Sequence, residues 1–279
     1  MSEAAPGRAF VPGHVTGFFS VHEDEDPIRA GSRGAGLTLT DGVSVRAEPA
    51  GERSVTLEGE TVDIDPVERV LDALSVTCRV EAESDLPIGA GFGTSGAMAL
   101  GTALAANRTF DRRLSANELV RLAHGAEVLS GTGLGDVVAQ AHGGIPIRLE
   151  AGAPPHGFLD AVPATARIEY VTFGELATEE VLSSETETLS AAGARALSAL
   201  VEEPTLPHLM LVSRRFAREA GLLTEQVRET IEAVSEAGGE ASMAMLGRTV
   251  FALGTGLSDA GFDPSVCRTH PAGATLESE

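Results

Sequence analysis

The sequence predicts an α+β fold with a larger N-terminal half and a smaller C-terminal half, on three observations. Residues 8–83 carry short alternating segments punctuated by turn residues, the signature of β structure. A glycine-rich stretch, DLPIGAGFGTSGAMALGTALAAN from Asp85 to Asn107, then feeds a long alanine-rich helical run. Beyond a Pro/Gly-rich loop at Ala151–Gly157, strand and helix patterns alternate again.

Taken in order, GLTLTDGVSVRAE alternates around Asp41-Gly42 and reads as a hairpin, and RSVTLEGETVDI repeats that pattern around Glu58-Gly59. PVERVLDAL reads as a short helix with Pro66 at its start, and VTCRVEAES as a strand. The helix beginning at Ser115 opens with SANE, which fits a capping box between Ser115 and Glu118. GTGLGD stops that helix, and a new turn starts near Asp136. Gly143-Gly144 leads into the strand IPIRLE. In the second half ARIEYVTFG reads as a strand, the runs starting at TEEVL, PHLML and TEQVR as helices, and SMAMLGRTVFALG as a turn feeding a strand.

Composition limits the function classes. The 279 residues include 41 acidic and 20 basic side chains, for a net charge of −21. Such a surface repels nucleic acid and anionic membranes, so neither is an expected partner. Every basic residue is Arg, and Lys is absent, which excludes Schiff-base chemistry and a Walker-type phosphate loop. An acidic, Lys-free chain predicts a salt-rich, halophilic setting, where screening relieves self-repulsion. Cys78 and Cys267 match no metal spacing and read as small buried apolar groups. No basic, apolar leader opens the sequence and no apolar run reaches the ~18 residues of a membrane span, so a cytoplasmic protein is expected.

The stretch from Pro87 to Ala97 carries the chemistry. Gly89, Gly91 and Gly93 let backbone turn tightly and approach a ligand, while Thr94, Ser95 and Gly96 open the helix. First-turn amides lack partners and carry partial positive charge, so phosphate is their natural guest; a plain N-cap after a flexible loop is the alternative. On a helical wheel Glu127 falls between Ala123 and Val120, inside the apolar arc. A carboxylate there needs a cation, either a metal or a buried Arg.

PIGAGFGTSGA resembles the P-x-x-x-G-[LF]-G-[ST]-S-[AG]-A motif of the GHMP kinases. APGRAFVPGH, from Ala5 to His14, is similar to that superfamily's first motif, and AEVLSGTGLGDVVAQAHGG to its segment from a Glu through a glycine turn to an Asp and Gly-Gly. Within the superfamily, FVPGHVTGFF with GTGLGD looks most like the archaeal pantoate kinases. The resemblance implies a two-domain fold with a cleft between an ATP-binding half, 1–155, and a C-terminal half, 156–279. It also implies ATP and Mg2+ as cofactors, and pantoate as the substrate phosphorylated in coenzyme A biosynthesis. Another hydroxy acid or isoprenoid alcohol, or a non-catalytic metabolite-binding role, are the competing readings.

By motif match, Ser95 and Glu127 hold the metal. Asp136 sits beside the reacting hydroxyl, with a simple helix N-cap as its other reading. Arg8 occupies the basic position next to that Asp and would orient it. Arg148 is the expected grip on the substrate carboxylate, because Arg pairs with carboxylates bidentately. His124, Ser20, His14 and Thr178 complete the candidate substrate contacts. His14 stands where many relatives carry Glu. Near the C-terminus, EASMAMLGRTVFAL keeps only Gly247 of the third family motif, so Met243, Met245 and Leu246 are expected to line the substrate's apolar part or simply to pack. A homodimer is a further expectation of this reading.

Overall fold

The computed structural model of the chain describes residues 6–174 and 186–277. Two long antiparallel strands, β1 (Gly7–His22) and β2 (Gly31–Pro49), form the spine of an eight-stranded sheet. Beside β2 lie β5 (Cys78–Ser84), β3 (Ser54–Leu57) and β4 (Glu60–Thr61), and outside β1 lies the C-terminal β12 (Thr275–Leu276). The other end of β2 pairs with β6 (Pro146–Glu150), which pairs with β7 (Phe158–Ala161). A second, four-stranded antiparallel sheet orders β11 (Ser265–Arg268), β8 (Arg167–Thr172), β10 (Thr249–Leu253) and β9 (Ala241–Ala244).

The hairpin expected at Asp41-Gly42 does not form. β2 runs straight through it, with Gly42 opposite Pro12. Pro12 has no amide to give the ladder, and the register shifts between Pro12 and His14, so the turn signal marks an irregularity within a long ribbon. The hairpin at Glu58-Gly59 is present as β3–β4.

Four helices cover the N-terminal end of the spine: α1 (Asp65–Leu74), α2 (Thr94–Thr109), α3 (Ala116–Ser130) and α4 (Asp136–His142). α3 starts with the expected capping box between Ser115 and Glu118. α2 is buried on nearly every side, and its Ala and Gly residues allow the close approach to β1 and β2. At Gly101 an added Cβ would meet Val45 Cγ2 at 2.5 Å, so a side chain there would force helix and sheet apart. α5 (Thr186–Glu202), α6 (Leu206–Glu219), α7 (Glu225–Glu236) and the short α8 (Gly256–Asp259) accompany the second sheet.

The apolar residues form two clusters, and β1 contributes to both. Ala9 and Val11 pack with Val43, Val45 and α1–α3, whereas Val15, Phe18 and Phe19 pack with Met210, Phe216, Met243 and Phe251 of the second half. The second core is therefore not built from residues 156–279 alone. The loop at 151–157 also lies within the first sheet, between the paired strands β6 and β7, and the strands change sheet only after Ala161. His14, between Val11 and Val15, stands where one core gives way to the other.

Gly193 of α5 shows which force dominates at this contact. Helix propensity alone favours Ala over Gly by about 1 kcal/mol, yet a methyl at 193 would overlap the Phe19 carbonyl of β1. Overpacking against backbone costs about 1–3 kcal/mol, so Gly193→Ala is expected to lower the unfolding free energy by denaturant titration. A stabilised variant would show that α5 has room to shift on β1.

Candidate functional site

The glycine loop and the start of α2 line a cavity of about 200 Å3. Gly89, Gly91 and Gly93 take φ values of 70°, 88° and 64°, which side-chain-bearing residues rarely adopt. Space matters as well: a Cβ at Gly91 would lie 2.9 Å from the Met245 carbonyl, and one at Gly93 would lie 3.0 Å from Asp136 Cβ. Gly93 caps α2 without any side-chain bond, so the first-turn amides at Thr94, Ser95 and Gly96 are not satisfied by a capping side chain. No acidic residue sits in that first turn. The apolar surroundings of α2 keep its terminal partial charge poorly screened, which favours an anion at this end.

Glu127 reaches the same cavity from α3 and is 2% exposed. Ser95 Oγ donates to Glu127 Oε1 at 2.6 Å, and Thr132 Oγ1 donates to the same oxygen at 2.9 Å. Burial pushes the carboxyl up to about 7, and the charge of Asp136 adds to that, against the two hydroxyl bonds. Among the described residues no Arg or His lies within ion-pair distance of Glu127, which removes the buried Glu–Arg alternative. One carboxylate and neighbouring hydroxyls beside a phosphate cradle suit Mg2+, which takes one or two carboxylates, phosphate oxygens and water. No cluster of three His, Cys, Asp or Glu side chains exists among the described residues, so a metal here would depend on ligands beyond the protein.

Asp136 is the first residue of α4 and lies on the wall between this cavity and a smaller one; Thr16 and Leu246 line both as well. The helix N-cap is Gly135, with no side-chain cap, so capping does not explain Asp136. Its carboxylate is 19% exposed and accepts a 2.7 Å bond from His14 Nδ1. Burial pushes its pKa up, but the His14 bond and the charges of His14 and Arg148 outweigh that and hold it below the usual carboxylate range. His14 is fully buried, which lowers its own pKa despite Asp136. Both directions fit a neutral imidazole donating to an ionised carboxylate.

Arg148 forms the far wall of the smaller cavity. It comes from β6, opposite Gly34 of β2, and is 1% exposed. Its Nη2 donates to Ser32 Oγ at 3.4 Å, while Nε and Nη1 have no partner among the described residues. Gly135 makes room for it: a Cβ there would lie 2.7 Å from Arg148 Nε and 2.5 Å from Ser32 Oγ. Desolvation lowers the pKa of the guanidinium, offset in part by the charge of Asp136.

Several expected residues lie elsewhere. Arg8 is exposed near the start of β1, beside Arg46 and Glu277; six residues of strand, about 20 Å, separate it from His14. His14, not Arg8, is the partner of Asp136, and being buried against that carboxylate it faces no substrate cavity. Ser20 shares a face of the ribbon with its cross-strand partner Arg33 and lines a different cavity with His22 and Leu197. The hydroxyl beside Arg148 belongs instead to Ser32. His124 bonds the Ala30 carbonyl at 2.9 Å and sits behind Gly31, lining neither cavity. Thr178 lies outside the described residues. Gly247 packs onto the Ala90 carbonyl, where a Cβ would clash; Met245 and Leu246 line the cavity, and Met243 joins the core.

Sequence reasoning also passed over Ser32, Thr132 and Gln140. Gln140 Nε2 donates to the Gly93 carbonyl at 2.9 Å and ties α4 to the glycine loop. Only the spacing Gly31-Ser32-Arg33-Gly34, with glycines flanking one hydroxyl, hinted at a close backbone approach.

Comparison with known proteins identifies the family of the chain. Residues 65–144 match the GHMP kinases N terminal domain. The chain is 36% identical to the pantoate kinase of Methanospirillum hungatei over 257 residues, covering 88% of this chain and 86% of that one. It is likewise 36% identical to the pantoate kinase of Thermococcus kodakarensis over 262 residues, covering 88% and 87%. A solved phosphotransferase related to the coenzyme A biosynthesis pathway superposes with a TM-score of 0.86 at 31% identity, over 98% of each chain.

The buried Glu127 carboxyl has a measurable consequence. Because its pKa is raised from 4.5 to about 7, the native state holds this proton more tightly than the unfolded chain does. That stabilisation is complete below the ordinary carboxylate range and is lost as pH rises toward 7. In chelator-treated protein, Glu127→Gln is therefore expected to gain about 2 kcal/mol over wild type between about pH 5 and 7.5. A difference that stays flat over that range would mean the carboxylate is solvated.

Proposed function

Because the chain belongs to the pantoate kinases of the GHMP kinase superfamily, we propose that it transfers the γ-phosphoryl group of ATP to the 4-hydroxyl of pantoate, a step of coenzyme A biosynthesis. The observation that carries the acid's recognition is Arg148, a guanidinium 1% exposed with two nitrogens unpartnered among the described residues, beside Asp136. A buried charge of that kind is costly unless a ligand completes it. A small carboxylate is the matching group, since guanidinium and carboxylate join through two parallel hydrogen bonds. Ser32 supplies a further hydroxyl to the same acid.

The triphosphate lies along the glycine loop, with phosphate oxygens on the amides of Thr94, Ser95 and Gly96. Ser95 and Glu127 would hold Mg2+, which when bound would neutralise phosphate charge. Asp136 orients the acceptor hydroxyl and takes its proton as the hydroxyl oxygen bonds to the γ-phosphorus and the bond to the ADP oxygen breaks. The transition state of such transfers is loose, so alignment and charge neutralisation outweigh deprotonation. Arg148 and the α2 terminus then grip opposite ends of the reacting pair. Asp136 lies between the two cavities where those ends meet.

The composition supports a salt-adapted, cytoplasmic enzyme. With a net charge of −21 and no Lys, the surface repels itself most in dilute buffer. Turnover and Tm are therefore expected to rise together as KCl is raised toward molar concentrations, and full activity in dilute buffer would argue against this setting.

The decisive experiment follows ADP release over a panel of pantoate, mevalonate, homoserine and galactose in high salt. Pantoate is expected to be the preferred acceptor. Arg148→Met should raise the KM for pantoate by about 10²-fold, the loss expected for a charge-assisted bidentate contact, while leaving that for ATP nearly unchanged. The same variant should be as stable as wild type or more so, since it removes an unpaired buried charge. Equal losses for both substrates would refute the carboxylate role.

A further inference from the structure

Asp136 meets the acceptor only if something fixes its carboxylate relative to the phosphate cradle. His14 makes both connections. Its backbone amide donates to the Phe92 carbonyl of the glycine loop at 2.9 Å, and its ring Nδ1 lies 2.7 Å from Asp136 Oδ1. The residue itself belongs to β1, between the two cores, and has no exposed surface. No substrate cavity is lined by it.

The ring's protonation state follows from its surroundings. An ionised carboxylate only accepts hydrogen bonds, so Nδ1 must carry a proton. Nε2 is buried with no partner among the described residues. A proton there would be a buried, unsatisfied donor on a cation, whereas a bare nitrogen leaves only a lone pair unmet. Gly36 shapes this end of the pocket: a Cβ there would lie 2.5 Å from Nε2. The charged groups facing the ring are Asp136 and, farther off, Arg148, which also opposes protonation. Asp136 Oδ2 receives no side-chain hydrogen bond among the described residues, so the two oxygens are unequal.

We propose that His14 is a positioning residue for phosphoryl transfer: held neutral with its proton on Nδ1, it pins Asp136 Oδ1 and leaves Oδ2 as the oxygen that meets the acceptor hydroxyl, while its main chain fixes the glycine loop. This rests on the reading of Asp136 given above. Nothing in the sequence motif singled out this role, since His14 replaces a Glu of many relatives. An acidic residue here would stand carboxylate against carboxylate with Asp136, and like charges at that distance raise one pKa.

The test compares three variants, assayed with pantoate and ATP in high salt. His14→Asn keeps an N–H donor close to the Nδ1 position, whereas His14→Leu removes it. His14→Leu is expected to lower kcat by about 10²-fold, the loss typical of a misplaced catalytic group, with both KM values within about threefold. His14→Asn is expected to recover most of that loss. A near-wild-type kcat for His14→Leu, a rise confined to the KM for pantoate, or an Asn variant no better than Leu would each overturn the proposal. Asp136→Asn separates the two claims: if it stays active, the reading of Asp136 fails; if it is inactive while His14→Leu is active, only the role of His14 fails. Should His14→Leu not fold, nitrogen NMR of the wild-type ring decides, with Nδ1 protonated and Nε2 bare expected at about pH 7. A proton on Nε2 at that pH would sink it.

Discussion

Arg148 carries a full positive charge into a setting where only 1% of its surface sees solvent and two of its nitrogens have no partner among the described residues, and Glu127 carries a carboxylate to a similar depth with no cation from those residues beside it. In an ordinary core these two would pair and neutralise each other. Here they are held on opposite sides of Asp136, in different cavities. The separation costs stability, because each ion is desolvated without full compensation. It also leaves each one complementary to something outside the protein. Among the described residues the cavity that carries the glycine loop has no Arg in its lining, so under the proposed reading phosphate charge would be met there by helix amides and a cation.

Maintaining that separation requires backbone elements that approach closely and do not slide. β1 supplies the fixed reference, since it contributes to both apolar cores and crosses from one to the other at His14. Around it, three contacts tie the elements of the site together. Phe92 accepts from the His14 amide, Gly93 accepts from Gln140 of α4, and the Met245 amide donates to the Thr16 carbonyl. The glycine loop, the helix bearing Asp136 and the β9–β10 turn are thereby tied to one ribbon. Leu246 in that turn sits at a φ of 65°, unusual for a branched side chain, and lines both cavities. Strain of about 1–3 kcal/mol is typical of such positions, and it persists only where the surroundings dictate it.

How far the sequence announced this depends on how local each signal is. The glycine loop opening onto α2 was legible because its glycines, its hydroxyls and the following helix are contiguous, and φ > 0 at 89, 91 and 93 is what glycine is for. Glu127 was legible from the helical wheel, as a charge among apolar neighbours. Arg148 followed from a chemical need joined to its position, in the strand just past Gly143-Gly144 and the Asp136 segment. Arg8 and Ser20 stand away from Asp136 for a common reason: a motif places residues near one another along the chain, but a strand spreads six residues over about 20 Å, and the register shifts on either side of His14, at Pro12/His14 and Thr16/Phe18, break the simple alternation of faces. Ser32 was barely legible, from its flanking glycines alone, because its place beside Arg148 arises from β2 pairing with β6, a contact across more than a hundred residues. The Asp41-Gly42 signal misled because turn chemistry also serves irregularities inside a long strand.

The acidity of the chain bears on this arrangement in a way that separates surface from site. Most ion pairs here join exposed partners such as Arg53 with Asp72 or Arg228 with Glu232, and exposed pairs contribute at most about 1 kcal/mol each, less when salt screens them. The surface therefore adds solvation and repulsion rather than cohesion, and cohesion falls to the two cores that β1 joins. Screening reaches the surface charges within a Debye length but scarcely reaches Glu127 and Arg148, which are 2% and 1% exposed. A protein built this way can relax its outer repulsion with salt while the field inside the cleft, on which recognition of a carboxylate and a triphosphate depends, stays nearly the same.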